Sequence, residues 1–128
     1  MIVADTDVLI DFLAGQEPGA GLVESELARG LLRTTAVTRF ELLSGARDAR
    51  HERAIRQLLA AIPTLALDQQ AADHAAQIQR DLQNVGASIG MADSLIAGIV
   101  LSHGATLLTR NRRHFERVSG LRLAELHS

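Results

Sequence analysis

The chain has 128 residues, a net charge of −2 and 47% hydrophobic residues, so it is long enough for one domain with a real core and is not a uniformly basic nucleic-acid binder. It has no Cys, Trp or Tyr, and all 13 of its cations are Arg. These absences exclude disulfides, Cys-based zinc sites and thiol nucleophiles, and the lack of Lys excludes a P-loop lysine, a Schiff base and a receiver-type lysine.

Met1 to Ala4 reads as a strand covered on both faces, and Asp5 falls at its carboxyl end. Thr6 or Asp7 is placed to cap a helix from about Asp7 to Ala14, closed by Gly15. For Asp7, capping alone is a sufficient account of the residue. Asp5 is different, because ligands of open α/β sheets bind at the carboxyl ends of strands. A second helix spans about Leu22 to Ala28, and Leu31 to Val37 reads as a strand. Thr38 and Glu41 have the spacing of a capping box, which predicts a helix from Thr38 to about Gly45 and gives Glu41 a purely structural use. Asp48 to Ala61 reads as a helix flanked by Arg47, Arg50, Arg53 and Arg56, either a solvated face or a partner surface.

Pro63 to Leu67 is a short strand. Asp68 caps a helix from Gln69 to about Val85, with Ala72, Ala75, Ala76, Ile78 and Leu82 expected inward. The segment after Gly90 forms the most apolar helix, with Asp93 in its first turn. The helix dipole favours an acid there, yet a central helix would also need that acid to face a polar crevice or a cation. Ala105 to Leu108 is a strand followed by Thr109, Arg110, Asn111, Arg112 and Arg113. Asn111 to Arg117 reads as a short helix and Leu121 to Leu126 as an edge strand. No linker divides the chain, so residues 1–128 are read as a single domain. Strands alternating with helices predict a mainly parallel sheet layered between helices. With no leader-like start and no apolar run of bilayer length, the reading is a cytoplasmic protein without membrane contact.

Asp5, Glu41 and Asp93 would then meet at one sheet edge, near Thr109 and Asn111. Crowded carboxylates repel unless a cation sits among them, and an oxygen-only set suits Mg2+ or Mn2+. Such an ion activates water and neutralises a phosphodiester oxygen, which is metal-dependent nuclease chemistry.

Four segments carry a family resemblance: Ile2-Val3-Ala4-Asp5-Thr6-Asp7, Thr38-Arg39-Phe40-Glu41-Leu42-Leu43-Ser44-Gly45, Asp93-Ser94-Leu95-Ile96-Ala97, and Leu108-Thr109-Arg110-Asn111-Arg112-Arg113-His114-Phe115. In this order the chain resembles the PIN-domain ribonucleases, and within them the VapC-type toxins of toxin–antitoxin pairs. The resemblance implies a three-layer α/β/α fold and a metal-dependent endoribonuclease holding one or two Mg2+ or Mn2+. Asp5, Glu41 and Asp93 match the family's three most regular acids. Asn111 stands at the fourth acidic position and is a neutral ligand. Asp7 replaces a frequent Asn, and Thr6 and Thr109 match supporting hydroxyls.

The resemblance further implies that Asp5 and Asp93 hold the ion. Glu41 would help them or act as general base on the attacking water, and the RNA 3′-oxygen would leave. Arg110, Arg112 and Arg113 would hold flanking phosphates, either that or serve as plain surface charge. An RNA substrate, a VapB-like antitoxin and a second copy of the chain are the implied partners. Arg47 to Arg56 and Leu22 to Leu27 are candidate contact surfaces. The alternative reading is a PIN-like binding module without turnover, which Asn111 keeps open. A receiver or a haloacid-dehalogenase-like phosphatase is disfavoured by the missing Lys and by Asp5-Thr6-Asp7-Val8, which has no following Thr.

Overall fold

The computed structural model describes residues 1–126. Five strands make one sheet: β1 (Ile2–Ala4), β2 (Leu32–Thr35), β3 (Thr64–Leu65), β4 (Thr106–Leu108) and β5 (Arg122–Leu123). Their order is β3-β2-β1-β4-β5, and every pairing is parallel. The helices are α1 (Thr6–Ala14), α2 (Gly19–Arg29), α3 (Ala36–Ser44), α4 (Ala49–Ala61), α5 (Gln69–Asn84), α6 (Met91–Ser102) and α7 (Arg112–Phe115). The expected alternation is therefore observed in the expected order, with β5 at an edge.

The period-two geometry of the central strands divides the core into two layers. Val3 and Leu107 point to one face, where they meet Ile78 and Leu82 of α5, Ile96 and Val100 of α6, and Phe115 of α7. Ala4 and Leu108 point to the other, against Val8 and Leu9 of α1, Val23 of α2, Leu42 of α3 and Ile55 of α4. Leu22 and Leu27 of α2 pack onto this second layer. Both side chains remain half-buried, and the exposed face of α2 adds Glu24, Ser25, Ala28 and Arg29.

Three local expectations are corrected. The β2 strand ends at Thr35 rather than Val37, and α3 begins at Ala36 rather than Thr38. Thr35 has extended backbone (φ −111°, ψ 160°) and its hydroxyl accepts from the Thr38 amide at 3.0 Å. Two capping hydroxyls compete in Thr34-Thr35-Ala36-Val37-Thr38, and the one that also completes the parallel ladder wins. Asp5 itself caps α1, accepting from the Thr6 amide at 2.7 Å, where Thr6 or Asp7 was expected. On α5 the inward alanines are Ala71 and Ala75, while Ala72 and Ala76 are exposed. Only Ala71 and Ala75 share the 3.6-residue stripe of Ile78 and Leu82, and Ala72 and Ala76 fall about a third of a turn away from it.

Adjacency of β1 and β4 positions the site. Ala4 pairs with Leu108, so Asp5 and Thr109 leave the sheet side by side, and the Asp5 amide donates to the Leu108 carbonyl at 2.9 Å. The first turns of α1 and α6, with Asp7 and Asp93, and the middle of α3, with Glu41, carry the remaining acids to this edge.

Candidate active site

Asp5 is 5% exposed and sits at the turn from β1 into α1. Its Oδ1 takes the Thr6 amide, and its Oδ2 accepts from Thr109 Oγ1 at 2.7 Å. Burial, followed by the nearby Asp7 charge, pushes its pKa up to about 7 against the hydrogen bonds from Thr109 and Thr6, and Asp93 adds to the rise. Asp7 accepts from the Arg110 amide at 2.9 Å, and Thr109 Oγ1 lies 3.3 Å from the same oxygen. Thr109 has one hydroxyl hydrogen, and the shorter contact assigns it to Asp5. Burial also raises Asp7 above the usual carboxylate range. Its Oδ1 is buried and has no hydrogen-bond partner among the described residues.

Glu41 is not the partner of the Thr38 amide. Its Oε1 accepts from Thr6 Oγ1 at 2.6 Å, which joins α3 to the start of α1. The hydroxyls of Thr35, Thr38 and Thr6 continue from that contact at 3.3 and 3.1 Å. Glu41 Oε2 makes no hydrogen bond among the described residues. The side chain also lines two clefts, one with Ile10, Leu13 and Arg47, the other with Phe40 and Met91.

Asp93, in the first turn of α6, uses Oδ2 to accept from Asn111 Nδ2 at 3.2 Å and lies 2.9 Å from His114 Nδ1. The Asn111 amide donates to Thr109 Oγ1 at 3.0 Å, so the segment after β4 reaches both Asp5 and Asp93.

The three arginines expected at phosphates separate into different uses. Arg110 makes a two-pronged contact with Asp11, with Nε to Oδ2 at 2.7 Å and Nη2 to Oδ1 at 3.2 Å. Arg112 Nη1 donates to the Ala124 carbonyl at 2.7 Å. Arg113 is exposed and makes no ion pair among the described residues. Arg50 and Arg53 of the α4 stripe are exposed as well, and Arg56 pairs with Glu52.

Two residues were not assigned roles by sequence reasoning. Asp11 carried no signal, because its partner Arg110 is 99 positions away. His114 was visible within the last motif, but only the fold brings its ring to Asp93.

The donor chemistry suits a hard divalent ion. Asp5, Asp7 and Glu41 form no ion pair with an Arg side chain among the described residues, and the orphaned Asp7 Oδ1 and the raised Asp5 pKa are both signs of a carboxylate group short of positive charge. The acids are close but not closed into a ligand sphere: among the described residues no three His, Cys, Asp or Glu side chains are grouped tightly enough to hold an ion as they stand.

The family model described as the PIN domain matches residues 2–121. The tRNA(fMet)-specific endonuclease VapC of Shigella flexneri is 34% identical over 122 residues, spanning 92% of both chains. The protein of the same name from Salmonella typhimurium is 33% identical over 95 residues, 71% of this chain and 72% of that one. Among solved structures, the DNA-bound VapBC of Salmonella typhimurium superposes with a TM-score of 0.85 at 28% identity, covering 98% of each chain.

Proposed function

The chain belongs to the PIN-domain family, and from that premise we propose that it is a divalent-metal-dependent endoribonuclease, the toxin of a type II toxin–antitoxin pair. The observation that carries the chemistry is the buried Asp5, lifted to about 7 beside Asp7 and Asp93 and lacking any arginine partner. A cluster in that state gains most from a cation.

In this reading Asp5 and Asp93 would hold Mg2+ or Mn2+, with Glu41 beside them and Asn111 acting through Asp93. Such an ion supplies charge neutralisation at the scissile phosphate and lowers the pKa of water. Glu41, fixed at Oε1 by Thr6, offers Oε2 to take the proton from the attacking water. Thr109 holds Asp5 in one rotamer. The bond between phosphorus and the 3′-oxygen breaks, and the leaving oxygen takes its proton from solvent water. Arg113, with Arg50 and Arg53 further out, supplies phosphate contacts. Without Trp or Tyr, aromatic base stacking is minor, and a folded RNA read by shape and Arg contacts suits the surface.

The named relatives act on initiator tRNA, and that is the first substrate to offer. The solved relative is a VapBC assembly, which supports a VapB-like antitoxin as partner, and the family resemblance adds a second copy of this chain. The test is incubation of the purified protein with total bacterial RNA and with initiator tRNA, in Mg2+, in Mn2+ and in EDTA, beside Asp5→Asn. Discrete fragments that require both the ion and Asp5 are expected. A folded protein that binds the ion and cuts no RNA would overturn the nuclease reading in favour of a binding module.

A further inference from the structure

His114 lies outside the proposed ligand set, yet its ring is packed against it. His114 Nδ1 is 2.9 Å from Asp93 Oδ2, Asn111 Nδ2 is 3.2 Å from the same oxygen, and the two nitrogens are 3.0 Å apart. A ring nitrogen without hydrogen would set its lone pair against a carboxylate oxygen. The contact is therefore favourable only with the hydrogen on Nδ1. The short nitrogen–nitrogen distance then follows from two donors converging on one acceptor. His114 Nε2 is left to the open side of a ring whose side chain is 39% exposed.

Asp93 needs such an external hold. It lies three residues after Gly90, which caps α6 without any side-chain hydrogen bond. The first amides of α6 are thus a competing destination for the Asp93 carboxylate, since a helix N-terminus attracts an acid in its own first turn. Donors from the segment after β4 pull Oδ2 the other way, and Oδ1 makes no hydrogen bond among the described residues. The same segment fixes Asp5 through Thr109, whose hydroxyl accepts from the Asn111 amide.

We infer that His114 is a positioning residue: together with Asn111 it clamps Asp93 Oδ2, so that Oδ1 is presented to a divalent ion. The inference rests on the reading that this acidic cluster takes such an ion. A purely structural role would have His114 staple α7 to α6 and leave ion affinity unaffected.

The experiment uses the full chain, freed of metal, as wild type, His114→Ala and His114→Asn. The amide nitrogen of Asn can occupy the place of Nδ1. Mn2+ affinity is read by electron paramagnetic resonance, thermal denaturation is read without metal, and the ring tautomer of His114 is read by nitrogen-15 NMR on the metal-free wild type. Expected are an Nδ1–H tautomer, Mn2+ binding weakened about 10- to 100-fold in His114→Ala, and recovery of most of that loss in His114→Asn. The two variants should melt alike. Equal Mn2+ affinity in wild type and His114→Ala, or an Nε2–H tautomer, overturns the inference. A wild type with the Nδ1–H tautomer that takes up no Mn2+ identifies the ion reading as the part that fails, and the positioning role falls with it.

Discussion

Thr6 and Glu41, 35 positions apart, share a hydrogen bond of 2.6 Å in which the Thr6 hydroxyl donates to Oε1. The bond crosses from the first residue of α1 to the middle of α3, so it sets a long flexible acid at the sheet edge by a contact that neither helix could make alone. A hydrogen bond to a charged group contributes about 1.5–3 kcal/mol. If the bond orients Glu41 for proton transfer, Thr6→Val should lower kcat by about tenfold or more in protein that is still folded at the assay temperature, beside a fall of several degrees in melting temperature. Thr6→Ser should keep most of the rate. Single-turnover cleavage measures this, and a Thr6→Val enzyme as fast as wild type would remove the bond from the mechanism.

Asp5 couples stability to pH in a direction opposite to that of an ordinary paired carboxylate. Its folded pKa of about 7 lies above the ordinary Asp value of 3.8. Between these values the folded chain holds a proton that the unfolded chain has released, so stability falls as pH rises through that window and levels off above it. Over pH 5 to 8 the loss is about 2–3 kcal/mol for the metal-free protein. Asp5→Asn, which keeps the shape without the charge, should flatten this dependence and melt higher than wild type at pH 8. The advantage should shrink at pH 5. Urea titrations at both pH values decide it, and a wild type that grows more stable from pH 5 to 8 would refute the assignment.

The cap of α5 was legible because Asp68 acts within its own turn, accepting from the Ala71 amide, and Asp48, read as the first residue of α4, caps it in the same way by accepting from the His51 amide. Asp5 and Asp93 were legible as acids at element ends. Glu41 was harder. Its local alternative, a capping box with Thr38, is satisfied by sequence spacing alone, and only the proximity of α1 to α3 shows the acid turned to Thr6 instead. Arg110 illustrates the same limit. In the sequence it is one of three cations beside a candidate phosphate site, and its use is set by Asp11 on another element. Strand order was equally beyond reach, since parallel strands linked by long crossovers leave no local mark of which neighbours they choose. What local pattern encodes is the elements and the acids, while the pairings between them follow from β1 lying between β2 and β4.

The helix that carries Asp93 is held close to α5 by Gly98. A Cβ at this position would stand 2.8 Å from the Ala75 Cβ and from the Ala75 amide nitrogen. Real carbon atoms do not approach so closely, so Gly98→Ala must push α6 away from α5. Overpacking of this kind costs about 1–3 kcal/mol, which exceeds the gain of up to about 1 kcal/mol from replacing a helical glycine. The variant should unfold at lower urea with an unchanged slope, and its Mn2+ affinity should fall as Asp93 moves with the helix. A variant as stable as wild type would show that the two helices separate without strain.

Arg110 and Arg113 should respond to removal in opposite ways. Asp11 is 5% exposed and receives two hydrogen bonds from the Arg110 guanidinium. Arg110→Ala strands that carboxylate and should cost about 2–3 kcal/mol of stability. Arg110→Lys should restore only part of it, because an ammonium cannot match both oxygens in one plane. Gly19 should be as sensitive, since a Cβ there would lie 2.7 Å from the Asp11 Cβ and dislodge the same side chain. Arg113 is exposed and makes no ion pair among the described residues, so Arg113→Ala should leave stability within about 0.5 kcal/mol of wild type. Its effect belongs to the substrate. With Asp93→Asn added to prevent cleavage, Arg113→Ala should weaken RNA binding and lower the slope of log affinity against log salt by about 1. Denaturation curves and fluorescence anisotropy on the same variants separate the roles. If Arg110→Ala kept full stability and lost RNA affinity while Arg113→Ala did neither, Arg110 would be the phosphate contact and Asp11 its orienting partner.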